Sequence, residues 1–219
     1  MKVRIEWIYK SPKGREAVFL SEEMPAEAAV GVAEDVERTG RAKNIRFVDQ
    51  FDSSWTMKEM KVYLKEIETE PHNVLVYFDG GYERNTRAAG LGCVIYYEQS
   101  GKSYRLRANT MLDELTSNNE SEYAALYFCL QELEYLEVHH QPVRFIGDSR
   151  IVINGMSGEW YAIEEQLMPW AKRIDEKMAE MGIQPEYELI PRKDNAEADK
   201  LATQALNGIV ITATSEIIA

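Results

Sequence analysis

The chain has 219 residues, 45% hydrophobic and 28% charged, with a formal net charge of −12. That composition is ordinary for a globular protein and argues against disordered and fibrous classes. No apolar run approaches the ~20 residues of a membrane-spanning helix, and an acidic surplus of this size counts against a partner bound by charge alone.

Met1-Lys2-Val3-Arg4-Ile5-Glu6-Trp7 alternates charged and apolar residues. This is a strand pattern and lacks the continuous apolar stretch of a secretion signal, so a cytoplasmic protein is expected. Residues 2–9 place Val3, Ile5 and Trp7 on one face. Ser11-Pro12-Lys13-Gly14 is a turn signal, and residues 16–20 are a second strand completing a hairpin. Pro25 opens a helix over 26–38 that Gly40 ends. Residues 44–51 are strand-like, with Ile45, Phe47 and Asp49 on one side. Thr56 and Glu59 have the spacing of a capping box. The helix they open, 57–67, puts Met60, Tyr63, Leu64 and Ile67 on one stripe. Residues 70–73, Glu-Pro-His-Asn, read as a boundary. The expected organisation is a small ββαβα domain over 1–70, a second domain over 73–207, and a tail over 208–219.

In the second segment, residues 74–78 form a short apolar strand ended by Asp79-Gly80-Gly81. Residues 91–98 and 102–109 are two more strands, Cys93 lying in the first. Ser117 with Glu120 is a second capping box. The helix behind it is apolar over a wide arc that includes Cys129. Two cysteines without metal-site spacing read as buried free thiols. Strand 143–147 ends at Asp148. Helices follow over 151–156 and 164–181, the second placing Leu167, Trp170, Ala171, Ile174 and Met178 at helical spacing. Residues 187–190 are the last strand. Asp194 with Glu197 opens a helix through Leu206 as a third capping-box candidate. The apolar tail 209–219 is β-prone and reads as a docked strand or an interface element. Three hairpin-linked strands followed by alternating helix and strand imply an α/β fold, a mixed five-stranded sheet flanked by helices.

Charge is unevenly spread: residues 1–70 carry 12 basic and 14 acidic side chains, and residues 71–219 carry 13 and 23. Four acids of the second segment stand out. Asp79 and Asp148 end strands, and open sheets gather ligands at the carboxyl ends of parallel strands. Glu122 and Asp199 lie in the first turns of helices. Each has an ordinary explanation: turn residue for Asp79, helix-dipole partner for Glu122, N-cap for Asp148, surface acid for Asp199. Spacing alone does not bring the four together. Were they to meet, mutual repulsion would raise their pKa values, and divalent cations would relieve it. Oxygen ligands without His or Cys point to Mg²⁺ or Mn²⁺.

From Tyr77 to Leu201 the chain resembles the type 1 ribonuclease H family. The matching segments are Tyr77-Phe78-Asp79-Gly80-Gly81 with Asn85 after it, Ser117 through Leu126, Gly147-Asp148-Ser149-Arg150, and Asn195 through Ala202. The resemblance implies the ribonuclease H-like fold and hydrolysis of the RNA strand of an RNA–DNA hybrid with two Mg²⁺ or Mn²⁺ ions. Asp79, Glu122, Asp148 and Asp199 then correspond to the metal-binding catalytic acids. Gly80, Gly81, Asn85, Ser117, Asn118, Asn119 and Arg150 fall on the substrate side. The amides suit a 2′-hydroxyl, which both donates and accepts. Ser117 lies where the family contacts a DNA-strand phosphate.

Three departures stand out. Loop 191–195 lacks the histidine of well-studied bacterial members; His139 and His140 lie elsewhere, leaving Arg192 and Lys193 there. Arg150 replaces a common glutamine. The basic protrusion of some members is absent between Trp160 and Trp170, where Glu159-Trp160-Tyr161 offers aromatic surface. The alternative to an enzyme is a weak or inactive nucleic-acid binder of the same fold. Some members begin with a small hybrid-binding domain of ββαβα order. Residues 1–68 echo that order, with Trp7, Tyr9, Phe47 and Trp55 as aromatic candidates among Lys2, Arg4, Lys10, Lys13, Arg15, Arg41, Lys43 and Arg46. A dimerisation or protein-binding module competes with that reading.

Overall fold

The computed structural model describes residues 1–159 and 164–218. Trp160 and Tyr161, and the side chain of Ile67, lie outside the described residues. The chain forms two compact units, Met1–Thr69 and Glu70–Ala219.

In the first unit, β1 (Lys2–Lys10) pairs antiparallel with β2 (Glu16–Leu20), with the short β3 (Met24–Pro25) and with β4 (Ala42–Asp49); β5 (Ser54–Thr56) pairs with β4. Strands β3 and β5 are additions to the expected order. Helix α1 (Ala26–Arg38) begins after Pro25, whose fixed φ suits a helix start. Helix α2 (Met57–Thr69) opens on a complete capping box: the Glu59 N–H donates to Thr56 Oγ1, and the Thr56 N–H donates to Glu59 Oε2 at 2.7 Å. Val3, Ile5 and Phe47 on one sheet face bury against Ala26, Ala29 and Ala33 of α1 and Met60 of α2. Phe47 is therefore core. Trp55 donates its indole N–H to Asp49. Trp7 is half-buried and stacks on Phe19 with ring centroids 5.5 Å apart.

The second unit is built on β6 (His72–Glu83), β7 (Ala88–Gln99), β8 (Lys102–Leu112), β9 (Pro142–Gly147), β10 (Gln184–Leu189) and β11 (Thr212–Glu216). Their order across the sheet is β10-β9-β6-β7-β8-β11. The β6–β9 and β9–β10 pairs are parallel and the others antiparallel. The sheet has six strands, not five, because the tail docks as β11. Asn109 pins it: its side-chain amide donates to the carbonyls of Leu201 and Ile209 and its oxygen accepts from the Ile211 N–H.

Helices α3 (Asn118–Tyr135), α4 (Arg150–Met156) and α5 (Met168–Met181) pack on one face, and α6 (Ala196–Leu206) on the other. Strand alternation sorts the side chains: Cys93, Ile95 and Tyr97 face α3, whereas Val94 and Tyr96 face α6. Both cysteines are free and buried. Tyr123, Leu126, Leu130 and Leu133 make α3 the core helix, each such side chain contributing about 1.5–3 kcal/mol on burial. Helix α5 starts at Met168, later than expected, with Pro169 in its first turn where the missing N–H costs nothing. No helix among the described residues is long and apolar enough to cross a membrane.

Candidate active site

Asp79 does not end its strand, as the sequence suggests. Strand β6 runs on through Gly80 and Gly81 to Glu83, paired with β7. What ends near Asp79 is the parallel pairing with β9, whose last pair is Tyr77↔Ile146. The chain of β9 then leaves the sheet at Asp148, so the two aspartates emerge side by side at the carboxyl end of the parallel pair.

Glycines let the helices close on this point. A Cβ on Gly80 would stand 2.3 Å from the Ser121 carbonyl oxygen of α3. On the opposite face, a Cβ on Gly92, the register partner of Asp79, would stand 2.2 Å from the Ala198 carbonyl oxygen of α6. Only a residue without a side chain permits such backbone approaches. The close packing carries Glu122 in from α3 and Asp199 in from α6. Glu122 Oε2 accepts from the Gly80 N–H at 3.2 Å.

The four acids are close enough to repel. Asp79 is 6% exposed. Burial first, then the charges of Asp148 and Asp199, push its carboxyl up to about 7, against a smaller opposing pull from Arg192. Burial, Asp79 and Asp148 push Glu122 well above the usual carboxylate range, outweighing the Gly80 hydrogen bond and Arg192. Desolvation and like charge act in the same direction here.

Two residues outside the acid set organise the cluster. Asn195 is buried, and its amide donates to the Phe78 carbonyl at 2.9 Å and to Asp148 Oδ1 at 2.7 Å. Arg192, from the 3-10 turn Arg192–Asp194, donates to Asp199 Oδ1 at 2.6 Å. The Asp194 capping box fails: helix α6 begins at Ala196 behind Asn195, with no side-chain cap bond. Asn195 opens the family-like segment Asn195 through Ala202, yet nothing local marks its side chain as turned inward. Arg192 had a weak signal, occupying the loop where a histidine was expected.

Among the described residues no group of three or more His, Cys, Asp or Glu is closed into a cation cage; Asp148 is engaged by the Asn195 amide and Asp199 by the Arg192 guanidinium. The donor set nevertheless fits a hard dication: oxygen ligands only, with two carboxyls held above their ordinary range by burial and then by neighbouring negative charge.

Of the expected substrate-side residues, Gly80 and Gly81 follow Asp79 on β6, and Ser117, Asn118 and Asn119 precede Glu122 at the start of α3. Ser117 caps α3, its Oγ accepting from the Glu120 N–H. Glu120 reaches back to the Thr116 N–H and hydroxyl and accepts from the Trp170 indole. Asn118 is exposed and Asn119 half-exposed on the first turn of α3; Arg150 is exposed at the start of α4. Gly80 is buried, Gly81 is half-buried, and Asn85 is exposed in the β6–β7 turn.

Residues 77–205 match the family described as Reverse transcriptase-like. The chain belongs to this ribonuclease H-like family. Its curated relatives include the uncharacterized protein YpeP of Bacillus subtilis, 38% identical over 190 residues, 86% of this chain and 84% of that protein. The bifunctional protein Rv2228c of Mycobacterium tuberculosis is 27% identical over 143 residues; this alignment covers 65% of the chain and 38% of that protein. Among solved structures, LC11-RNase H1 in complex with RNA/DNA hybrid aligns at 27% identity with a TM-score of 0.53, covering 62% of this chain and 98% of that one. The N-terminal RNase H domain of Rv2228c aligns at 27% identity and a TM-score of 0.50, covering 60% and 97%. The ribonuclease H-like match falls in the second unit; Met1–Thr69 lies outside the family match.

Proposed function

We propose that this ribonuclease H-like protein is a divalent-cation-dependent endonuclease that cuts the RNA strand of RNA–DNA hybrids, leaving a 3′-hydroxyl and a 5′-phosphate. The observation that carries the reading is the gathering of Asp79, Glu122, Asp148 and Asp199, where burial first and then the charges of Asp148 and Asp199 push the Asp79 carboxyl up to about 7. In support, a structural neighbour is an RNase H1 in complex with RNA/DNA hybrid. Free, buried cysteines suit the reducing cytoplasm.

The four carboxylates would hold two Mg²⁺ or Mn²⁺ ions. When bound, such ions supply an activated water and stabilise the leaving oxygen of a phosphodiester. The chain's own residues do the rest. Asn195 fixes the direction of Asp148, and the Gly80 N–H fixes that of Glu122. Arg192 screens the cluster through its pair with Asp199 and would give up that carboxylate to a bound dication. Asn85, Asn118, Asn119 and the Gly80-Gly81 backbone read the sugar edge of the RNA strand, where a 2′-hydroxyl offers both donor and acceptor. Ser117 and Arg150 take phosphates, Ser117 at a helix N-terminus that favours anions. Residues 1–70 are a module for binding the hybrid or a protein partner.

The test is incubation of the full chain with a labelled hybrid and Mg²⁺ or Mn²⁺. Cleavage confined to the RNA strand and lost in Asp148→Asn is expected. Turnover no greater than in that variant defeats the proposal. One observation favours a second reading, a binder without turnover: Asp148 and Asp199 already have partners, and no three-acid cage is closed among the described residues. Hybrid binding that is indifferent to chelators and unaccompanied by cleavage would select it.

A further inference from the structure

The N-terminal sheet ends in the edge strand β2. Among the described residues, strand β2 pairs with β1 alone. All five of its residues are exposed, including Val18 at 68%, Phe19 at 46% and Leu20 at 55%. Natural edges are commonly blunted by lysine, proline or a bulge, and residues 17–20, Ala-Val-Phe-Leu, carry none of these.

The direction of the free hydrogen-bonding groups follows from the register. The Ser21 N–H donates to the Ile5 carbonyl, and the Ser11 N–H donates to the Arg15 carbonyl. In an antiparallel ladder every second residue bonds to the same neighbour. Residues 15, 17, 19 and 21 therefore turn toward β1, which leaves the N–H and C=O of Glu16, Val18 and Leu20 pointing away from the sheet. Charge along this edge is polarised. Lys13 and Arg15 precede the apolar stretch and Glu22 and Glu23 follow it; all four are exposed. Such a strand complements a copy of itself in antiparallel orientation and repels it in parallel orientation.

We propose that two copies of the chain associate through β2, antiparallel about a two-fold axis at Val18, making one continuous sheet of the two N-terminal sheets. In this register Val18 faces Val18 of the second copy and Glu16 faces Leu20. The outward groups of residues 16, 18 and 20 close on one another. The Lys13–Arg15 end of each strand meets the Glu22–Glu23 stretch of the other. The interface is isologous, so it closes at two subunits instead of propagating.

Sedimentation equilibrium of the full chain tests this independently of any nuclease activity. A species of twice the 25.2 kDa chain mass is expected at micromolar concentration. Val18→Pro removes an outward N–H without touching the β1 ladder and should give a monomer with unchanged far-UV circular dichroism. Two charge variants guard against misfolding as the cause. Lys13→Glu with Arg15→Glu, and Glu22→Lys with Glu23→Lys, should each weaken self-association by roughly tenfold or more. Mixing the two in equal amounts should restore association as a heterodimer. A monomeric parent up to about 0.1 mM, or a dimer that ignores all these substitutions, overturns the proposal.

Discussion

Gly80→Ala is the sharpest probe of how the site is assembled. The added Cβ would lie 2.3 Å from the Ser121 carbonyl oxygen and 2.6 Å from the Glu122 nitrogen, whereas ordinary contact begins at 3.4 Å. Both obstacles are backbone of α3, so no side chain can swing aside, and the helix must retreat by about 1 Å. Overpacking of this kind costs about 1–3 kcal/mol. The retreat also carries Glu122 away from the Gly80 N–H that it accepts at 3.2 Å. A misplacement of about 1 Å in a catalytic group lowers turnover by roughly 100-fold. The control is Gly31→Ala, an exposed position on α1 where the new Cβ meets nothing within 4 Å. Urea denaturation and hybrid cleavage of the two variants, run in parallel, check the contrast. Gly80→Ala matching Gly31→Ala in both stability and turnover would refute the close-packing argument.

The Asp79 carboxyl is raised to about 7 by burial and then by Asp148 and Asp199. An acid with a raised folded value contributes stability that is complete below its unfolded value near 4 and lost as pH rises through 7. Metal-free protein should therefore lose on the order of a few kcal/mol between pH 5 and pH 8, and saturating Mg²⁺ should flatten that slope in thermal melts. Asn195→Ala leaves the buried Phe78 carbonyl unpaired and frees Asp148; a loss of about 1–3 kcal/mol is expected in denaturant titrations. Arg192→Met removes a cation from Asp199 and should tighten Mn²⁺ binding several-fold in calorimetry, a modest gain because the guanidinium is largely exposed and screened.

The helices with strong local punctuation were legible in the sequence. Pro25 and Gly40 bracket α1, and the Thr56/Glu59 and Ser117/Glu120 pairs mark α2 and α3, because caps are set by residues within one turn. The sequence pattern shortens strand β6 because two glycines weaken a strand signal. Their presence is explained instead by backbone of another element pressing on the sheet, which no local window contains. The docked tail shows the same limit: Asn109 holds Ile209 and Ile211 across about a hundred positions. At the site, strand-end and helix-start positions singled out four acids as unusual, and family resemblance supplied their meeting. Asn195 and Arg192 act through tertiary contacts to Asp148 and Asp199, so their orientation emerges only in the folded chain.

The measurement that bears most directly on the central claim is anomalous diffraction from crystals of the full chain grown with Mn²⁺. Two manganese peaks held by carboxylate oxygens of Asp79, Glu122, Asp148 and Asp199, with Arg192 displaced from Asp199, are predicted. A saturated crystal in which manganese is absent from these carboxylates and the Arg192–Asp199 pair persists would contradict it.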